Sequence, residues 1–420
     1  MRLFGQQPNR RIGVATRIWT GQGINRKQVN RLAPTVISSG SGSFTVTINN
    51  NTAVFASTSA DTLADVCAGI VAAVQNAEAP EFREVLPTTD DTYVYLTAVT
   101  AGMPFTQTSS ASGTGAALTT STTTANKSRN DWSDTLNWAG GVVPVDTDDV
   151  IIENTDQSIL YGLSQSTVSL ASLTIRETFT GRIGNPNIHQ NGYYDYRDTT
   201  LTLEAATTLK INHNAGDFQQ RFRITVGDNN CALEVNGPID SQPQVYGVVE
   251  WDAGTGTHTI KINNGSLAIA PDTQDSVTVS SLSSVDSAIY AGPSATITTV
   301  TLDGQSSGLF AKSPTTLTLN GTSFAQIQDG ACTTLDIKRG QIIWQGGNIT
   351  TLTCGPTSLI SFDEDKDAIT ITNTTMHYGS ALSDNNKRVT FTNGIDLYEC
   401  GIEDVTLRLG KHFTISLSAI

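Results

Sequence analysis

Charge, paired cysteine and long apolar runs are all scarce in this 420-residue chain, and each scarcity removes a class of protein. Asp, Glu, Lys and Arg supply only 15% of the residues while Thr, Ser, Gly and Asn abound. That is the composition of strands whose outer faces carry hydroxyls, with helix a minor component. The five cysteines, Cys67, Cys231, Cys332, Cys354 and Cys400, are odd in number and lack CxxC or Cys/His spacing. They read as reduced core residues, which excludes a disulfide scaffold and a zinc site. The histidines form no HxH or HExxH pair, and neither a GxSxG elbow nor a P-loop occurs, so no cofactor is expected. No segment is long and apolar enough to span a bilayer, and membrane insertion is not expected. Met1 to Arg11 is polar and basic with no apolar run behind it, unlike a secretory signal.

The charge is also unevenly placed. The formal charge is −14, yet residues 1–60 hold Arg2, Arg10, Arg11, Arg17, Arg26, Lys27 and Arg31 with no Asp or Glu. Residues 1–43 therefore read as an extended basic arm that docks on an acidic surface, with Trp19 and Ile24 as anchors, against the plainer reading of a disordered tail. The acidic remainder would repel phosphates, which argues against nucleic acid as the partner.

The strongest signal is a repeat. Val300-Thr301-Leu302, Leu317-Thr318-Leu319, Leu335-Asp336-Ile337, Leu352-Thr353-Cys354, Ile369-Thr370-Ile371, Val389-Thr390-Phe391 and Val405-Thr406-Leu407 recur at steps of 17, 18, 17, 17, 20 and 16 residues. Each phrase has apolar residues at i and i+2, the period of a strand with one buried face. Corners such as Asp303-Gly304, Asn320-Gly321 and Asn393-Gly394 separate them, and second apolar phrases fall midway, at Ile342 to Trp344, Ile360 to Phe362 and Met376 to Tyr378. Two or three strands per coil of 17–18 residues predict a parallel β-solenoid (β-helix), whose coils bury their apolar faces by stacking. The protein is expected to be mainly β, with regular coils over 297–409 and less regular ones over 170–280.

Upstream, residues 44–106 read as a compact α+β unit of ββαββ order: strands at Phe44 to Ile48 and Ala53 to Ala56, a helix capped by Ser59 or Asp61, then further strands. Leu63, Val66, Ile70, Val71 and Val74 form the apolar stripe of the helix. Residues 107–130, rich in Ser, Thr, Gly and Ala, read as a linker or loosely held strand. The solenoid region is expected from 131 to 420, opened by a Trp-rich cap over 131–152 in which Trp132 and Trp138 cover the first coil. A sugar-binding aromatic pair is the rival reading of the two rings.

Two surface stretches are candidate sites. Arg182, His189, Tyr193, Tyr194, Tyr196 and Arg197, within 181–198, form an aromatic and Arg-rich loop that reads as an intersubunit or partner contact, ahead of ordinary packing or a carbohydrate site. Asp363, Glu364, Asp365 and Asp367 form the densest carboxylate group. A solvated turn is the plain reading and a Ca²⁺ corner the weaker one, since the EF-hand ligand order is absent. A polysaccharide hydrolase needs two carboxylates at a set separation, which adjacent residues on one corner do not display. No catalytic residue is assigned.

Two resemblances add to this. Phe44-Thr45-Val46-Thr47-Ile48, Thr62 to Val66, Ala68 to Val74 and Leu96 to Thr106 with its Ala101-Gly102-Met103-Pro104-Phe105 turn resemble a small α+β module of tailed-bacteriophage structural proteins. Trp132 to Pro144 is similar to a Trp-x5-Trp-x-Gly-Gly-x-x-Pro phrase that opens β-solenoids in bacterial surface proteins and some phage proteins. Together they imply a non-enzymatic virion component, a capsid decoration or tail fibre protein assembled in the host cytoplasm, docked on other capsid or tail proteins and forming a homotrimer. The alternative is a tailspike or receptor-binding protein that binds or cleaves host surface glycan in host adhesion.

Overall fold

A computed structural model describes residues 14–184, 199–214, 222–238, 248–272, 276–364 and 367–409. Its backbone is a long parallel β-solenoid with a small α+β module inserted into the first coil.

Strand β1 (Thr16–Trp19) pairs in parallel with β9 (Asp149–Ile152), so the rod begins at residue 16. The chain leaves the rod after Trp19 and returns through an antiparallel bridge between Arg26 and Lys127. Between these points lie β2 (Val29–Pro34), β3 (Ser39–Ile48), β4 (Asn51–Thr58), α1 (Leu63–Gln75), β5 (Val85–Thr89), β6 (Val94–Ala98), β7 (Gln107–Thr114) and β8 (Leu118–Thr124). They make two antiparallel sheets, β5-β6-β2-β8 and β4-β3-β7, around a core that includes Leu32, Phe44, Val46, Val66, Ile70 and Leu96. The cap of α1 is Thr62, whose hydroxyl accepts the Asp65 N–H while the Asp65 carboxylate accepts the Thr62 N–H at 2.9 Å. This reciprocal box stabilises a helix start by about 1 kcal/mol. Asp61, expected as a cap, instead accepts from Ser57 Oγ and the Thr58 N–H.

Residues 14–43 thus take a different form from the extended arm expected of them. Arg17 and Arg31 occupy half-exposed positions of β1 and β2, while Trp19, Leu32 and Ile37 are buried. A strand with charges on its wet side has the composition of a basic tail, and only its partners distinguish the two. Residues 107–130 likewise contain two paired strands in place of a linker, β7 on β3 and β8 on β2. Their hydroxyls satisfy one another, as in Ser43 to Ser112 at 2.9 Å and Ser109 to Thr120 at 2.7 Å.

Along the rod two main faces run the length of the stack. On the first, Trp19, Ile152, Ile175, Ile211, Val235 and Ile262 lie in register, all buried. The column resumes as Leu302, Leu319, Ile337, Cys354, Met376 and Leu397. Between the two runs stands Ser284, buried and donating to Ser306 Oγ at 3.0 Å. The second face stacks Ile224, Trp251, Ile269, Ala291, Phe310, Ile327 and Trp344. A short third side carries Cys332, Ile349 and Ile371.

Of the seven repeated phrases, the first four stack as read: Val300 on Leu317 on Leu335 on Leu352. The next partner of Leu352 is Thr374, and Ile369 to Ile371 lie on the third side, pairing Ile371 with Ile349 and Ile369 with Val389. Leu407 pairs with Leu382 on the second face. Met376 likewise lies on the first face, and the midway strand of its coil is Ala381–Asp384. The coil from Leu352 to Thr374 is longer than the three before it, and the added length lies at the corner after Phe362.

The corner between the first and second faces has its own signature. Ser306, Ser323, Ser358 and Ser380 are buried, and each hydroxyl donates to the carbonyl three residues back, of Asp303, Asn320, Gly355 and His377, at 2.6–2.7 Å. Gly304, Gly321, Thr357 and Gly379 supply the positive φ that these turns require.

Candidate functional site

At the base of the rod the module meets a cluster of three tryptophans. Trp138 packs edge-on to Trp132, with centroids 4.7 Å apart, and to Trp19 at 5.2 Å. Trp138 Nε1 donates to the Trp132 carbonyl at 2.7 Å and Trp19 Nε1 to the Gln157 carbonyl at 3.1 Å. All three rings are buried in the core of the rod and offer no stacking face to a sugar. Trp19, expected as an anchor into a partner, is part of the chain's own core, whereas Ile24 is 70% exposed.

Asn137, which sequence reasoning missed, ties this junction together. Its Nδ2 donates to the carbonyls of Ser128 and Asp131 at 2.7 and 2.8 Å, and its Oδ1 accepts the Gly23 N–H at 2.7 Å. Its backbone carbonyl accepts from Thr20 N–H. One fully buried amide therefore holds both strands of chain that lead to the module. The available signal was position alone, immediately before the second Trp of the Trp-x5-Trp phrase. Asp134 accepts from the Leu136 N–H and from Lys127 Nζ at 3.0 Å. Burial raises the Asp131 carboxyl above its usual range, against the Ser133 N–H that favours the charged form.

The cationic residues expected to dock are partly committed within the chain. Arg17 Nε donates to Asp148 at 2.7 Å, Arg26 Nε to the Ala125 carbonyl at 3.1 Å, and the Arg31 guanidinium lies 4.5 Å from the Tyr93 ring centroid. Lys27 is exposed, while Arg2, Arg10 and Arg11 lie outside the described residues. Of the aromatic loop, Arg182 is described, its N–H donating to Ser158 Oγ, and His189, Tyr193, Tyr194, Tyr196 and Arg197 lie outside the described residues.

At the acidic corner, Asp363 accepts from Ser383 Oγ at 2.6 Å and from the N–H and Nδ2 of Asn385 at 2.7 and 3.0 Å. Burial pushes its carboxyl up, but these donors together outweigh it and hold the group below its ordinary value. Asp363 therefore acts as a clamp between successive coils, with its oxygens already occupied. Glu364 is exposed, Asp367 is exposed, Asp365 lies outside the described residues, and no three ligating side chains converge among the described residues. The other acidic run behaves alike: Asp146 accepts the Ser169 N–H, Asp148 holds Arg17 and Asp149 accepts from Ser172 Oγ.

Two clefts open on the irregular coils. One, of ≈ 490 Å³, is lined by Thr225, Gly227, Asp252, Thr255 and Thr278 among others, and a second, of ≈ 340 Å³, by Arg176, Glu177, Asn212 and His213. Each brings one carboxylate among its described lining, where glycoside hydrolysis uses two. The thiols are buried or half-buried and unpaired, and burial pushes Cys231 and Cys354 up to about 12. Burial of this kind makes Cys231 and Cys354 packing groups, since the thiolate is the nucleophile and burial disfavours it. Comparison with family models, curated proteins and solved structures finds no match to this chain.

Proposed function

We propose that the protein is a non-enzymatic structural component of a tailed-phage virion, a decoration or fibre protein held by its N-terminal region with the solenoid projecting outward. The observation that carries this reading is the polarity of the molecule. The inserted module, the exposed Ile24 and Lys27, and Arg17, Arg26 and Arg31 gather at one end of a rod. A rod with a separately folded head at its base suits attachment at one end and display at the other. The resemblance of residues 44–106 to a phage module and of 132–144 to a solenoid-opening phrase supports the same reading.

The Arg26–Lys127 bridge supplies the test, because the two residues are already adjacent and a short Gly-rich turn can replace everything between them. The shortened protein is expected to keep a folded rod and to lose incorporation into particles. Normal incorporation would refute attachment through the module. The tailspike alternative has its own readout: release of new reducing ends from host capsule or lipopolysaccharide by the purified protein would replace the structural reading.

A further inference from the structure

The outward side of the second face differs from that of the first. Above the coil of Tyr290, where the outward positions are buried by the chain itself, the outward positions from Ser307 to Ser383 span five coils and include no charged residue. Four inter-coil spacings make that strip about 19 Å tall. Leu309, Phe324, Ile343 and Leu359 stand on it, half-buried on a sheet whose inward positions already fill the core. In the same coils the outward side of the first face carries Thr301, Thr318, Asp336, Thr353 and Thr375, the hydroxyl-rich pattern of a solvated flank.

The corners that border the strip carry opposite charges at neighbouring heights. Lys338 and Arg339 lie on one corner, and Asp329 and Glu364 on the other, one coil below and one above. Elsewhere the signs exchange together: Asp303 faces the first corner and Lys312 the second in a single coil, and Glu399 and Glu403 lie one coil above Lys387. Lys338, Arg339, Lys312 and Lys387 are exposed, and among the described residues none has an ion-pair partner within the chain.

We infer that a second copy of this chain packs against the strip, parallel and at nearly the same height, about an axis that runs along the rod. Rotation about such an axis places the first corner of one copy against the second corner of the next, so every exchange of sign along the rod meets its opposite. An antiparallel pair centred on the strip would instead set Lys338 and Arg339 against their own copies. The strip also gives two acidic bodies a charge-free face on which to meet, and an uncharged apolar centre with a charged rim is the ordinary anatomy of an interface. Two-fold and three-fold rings both satisfy this geometry. The inference stands whether or not the rod is carried on a virion.

Light scattering on the full-length protein after size exclusion tests it, with circular dichroism as the control for folding. The wild type is expected at a whole multiple of 44.6 kDa, and a monomer at micromolar concentration would overturn the inference. Ile343→Lys together with Leu309→Glu is expected to give a folded monomer. Lys338→Glu with Arg339→Glu, reversing only the rim, is expected to weaken association about tenfold. Adding Asp329→Lys and Glu364→Lys to that variant is expected to restore the wild-type mass. Rim reversal without effect, or reversal that the second pair does not rescue, would refute the parallel arrangement even if the strip variants dissociate.

Discussion

Replacing Leu335 tests the stacking directly, because its surroundings are fixed on every side. Leu335 is fully buried, with Leu317 in register below it and Leu352 above. Truncation to Ala removes a side chain from a closed column that cannot collapse without shifting two strands, so a loss of about 2–5 kcal/mol is expected. Leu335→Asp places an unpaired carboxylate between coils and is expected to prevent folding of the regular region. The informative comparison is Thr318, on the outward side and paired with Asp336 on the next coil. Thr318→Asp sets like charges about 4.8 Å apart across a wet surface, worth about 0.9 kcal/mol in water. Thr318→Lys makes the opposite pair and is expected to be neutral or stabilising by about 0.2–1 kcal/mol. Urea melts followed by circular dichroism measure all four, with limited proteolysis to locate the opened coils. Equal damage from Thr318→Lys and Leu335→Ala would mean that the inward and outward faces are exchanged.

Three further outcomes follow from single groups. His258 is fully buried beside Trp251, its Nδ1 accepting the Cys231 N–H at 3.1 Å, and burial lowers its pKa below 6.5 against a nearby Gly254 carbonyl that favours the charged form. The folded state then binds fewer protons than the unfolded one, so stability is present above pH 6.5 and declines as pH falls below it. Urea midpoints across that range should show a slope that flattens in His258→Phe. Asn137→Ala leaves the Gly23 N–H and two carbonyls without their partner and is expected to cost about 1–3 kcal/mol, read as faster proteolysis between module and rod. Cys354, with its thiol pushed up to about 12, should resist alkylation in the folded protein and react at once in denaturant. Rapid labelling of the native thiol would place it outside the core.

How much of this was legible from sequence follows from what each local pattern encodes. The solenoid was legible because stacking forces apolar residues to the same place in every coil, and the Val300, Leu317, Leu335 and Leu352 phrases carry that constraint intact. The Ile369 phrase preserves the spacing and breaks the assignment. A longer corner after Phe362 moves it to the third side, while the true partner of Leu352 is Thr374, in a polar run that no hydrophobic pattern marks. Periodicity reports the length of a coil, whereas register depends on where the coil turns. The turns have a signal of their own in the buried Ser that returns to the carbonyl three residues back after a left-handed residue. Anchored on Ser358 and Ser380, the chain places Ser358 to Ser361 and Ala381 to Asp384 on one face and leaves Ile369 between them. The first β-strand was lost for the opposite reason. Its sequence, Thr16-Arg17-Ile18-Trp19, is strand-like, but its partner lies 133 residues further on, beyond an entire inserted module. No local pattern encodes that separation. The candidate site shares the difficulty, because Asn137 acts on Gly23 and Thr20 across the same insertion, and a single asparagine acquires that role only once the rod and the module share one base.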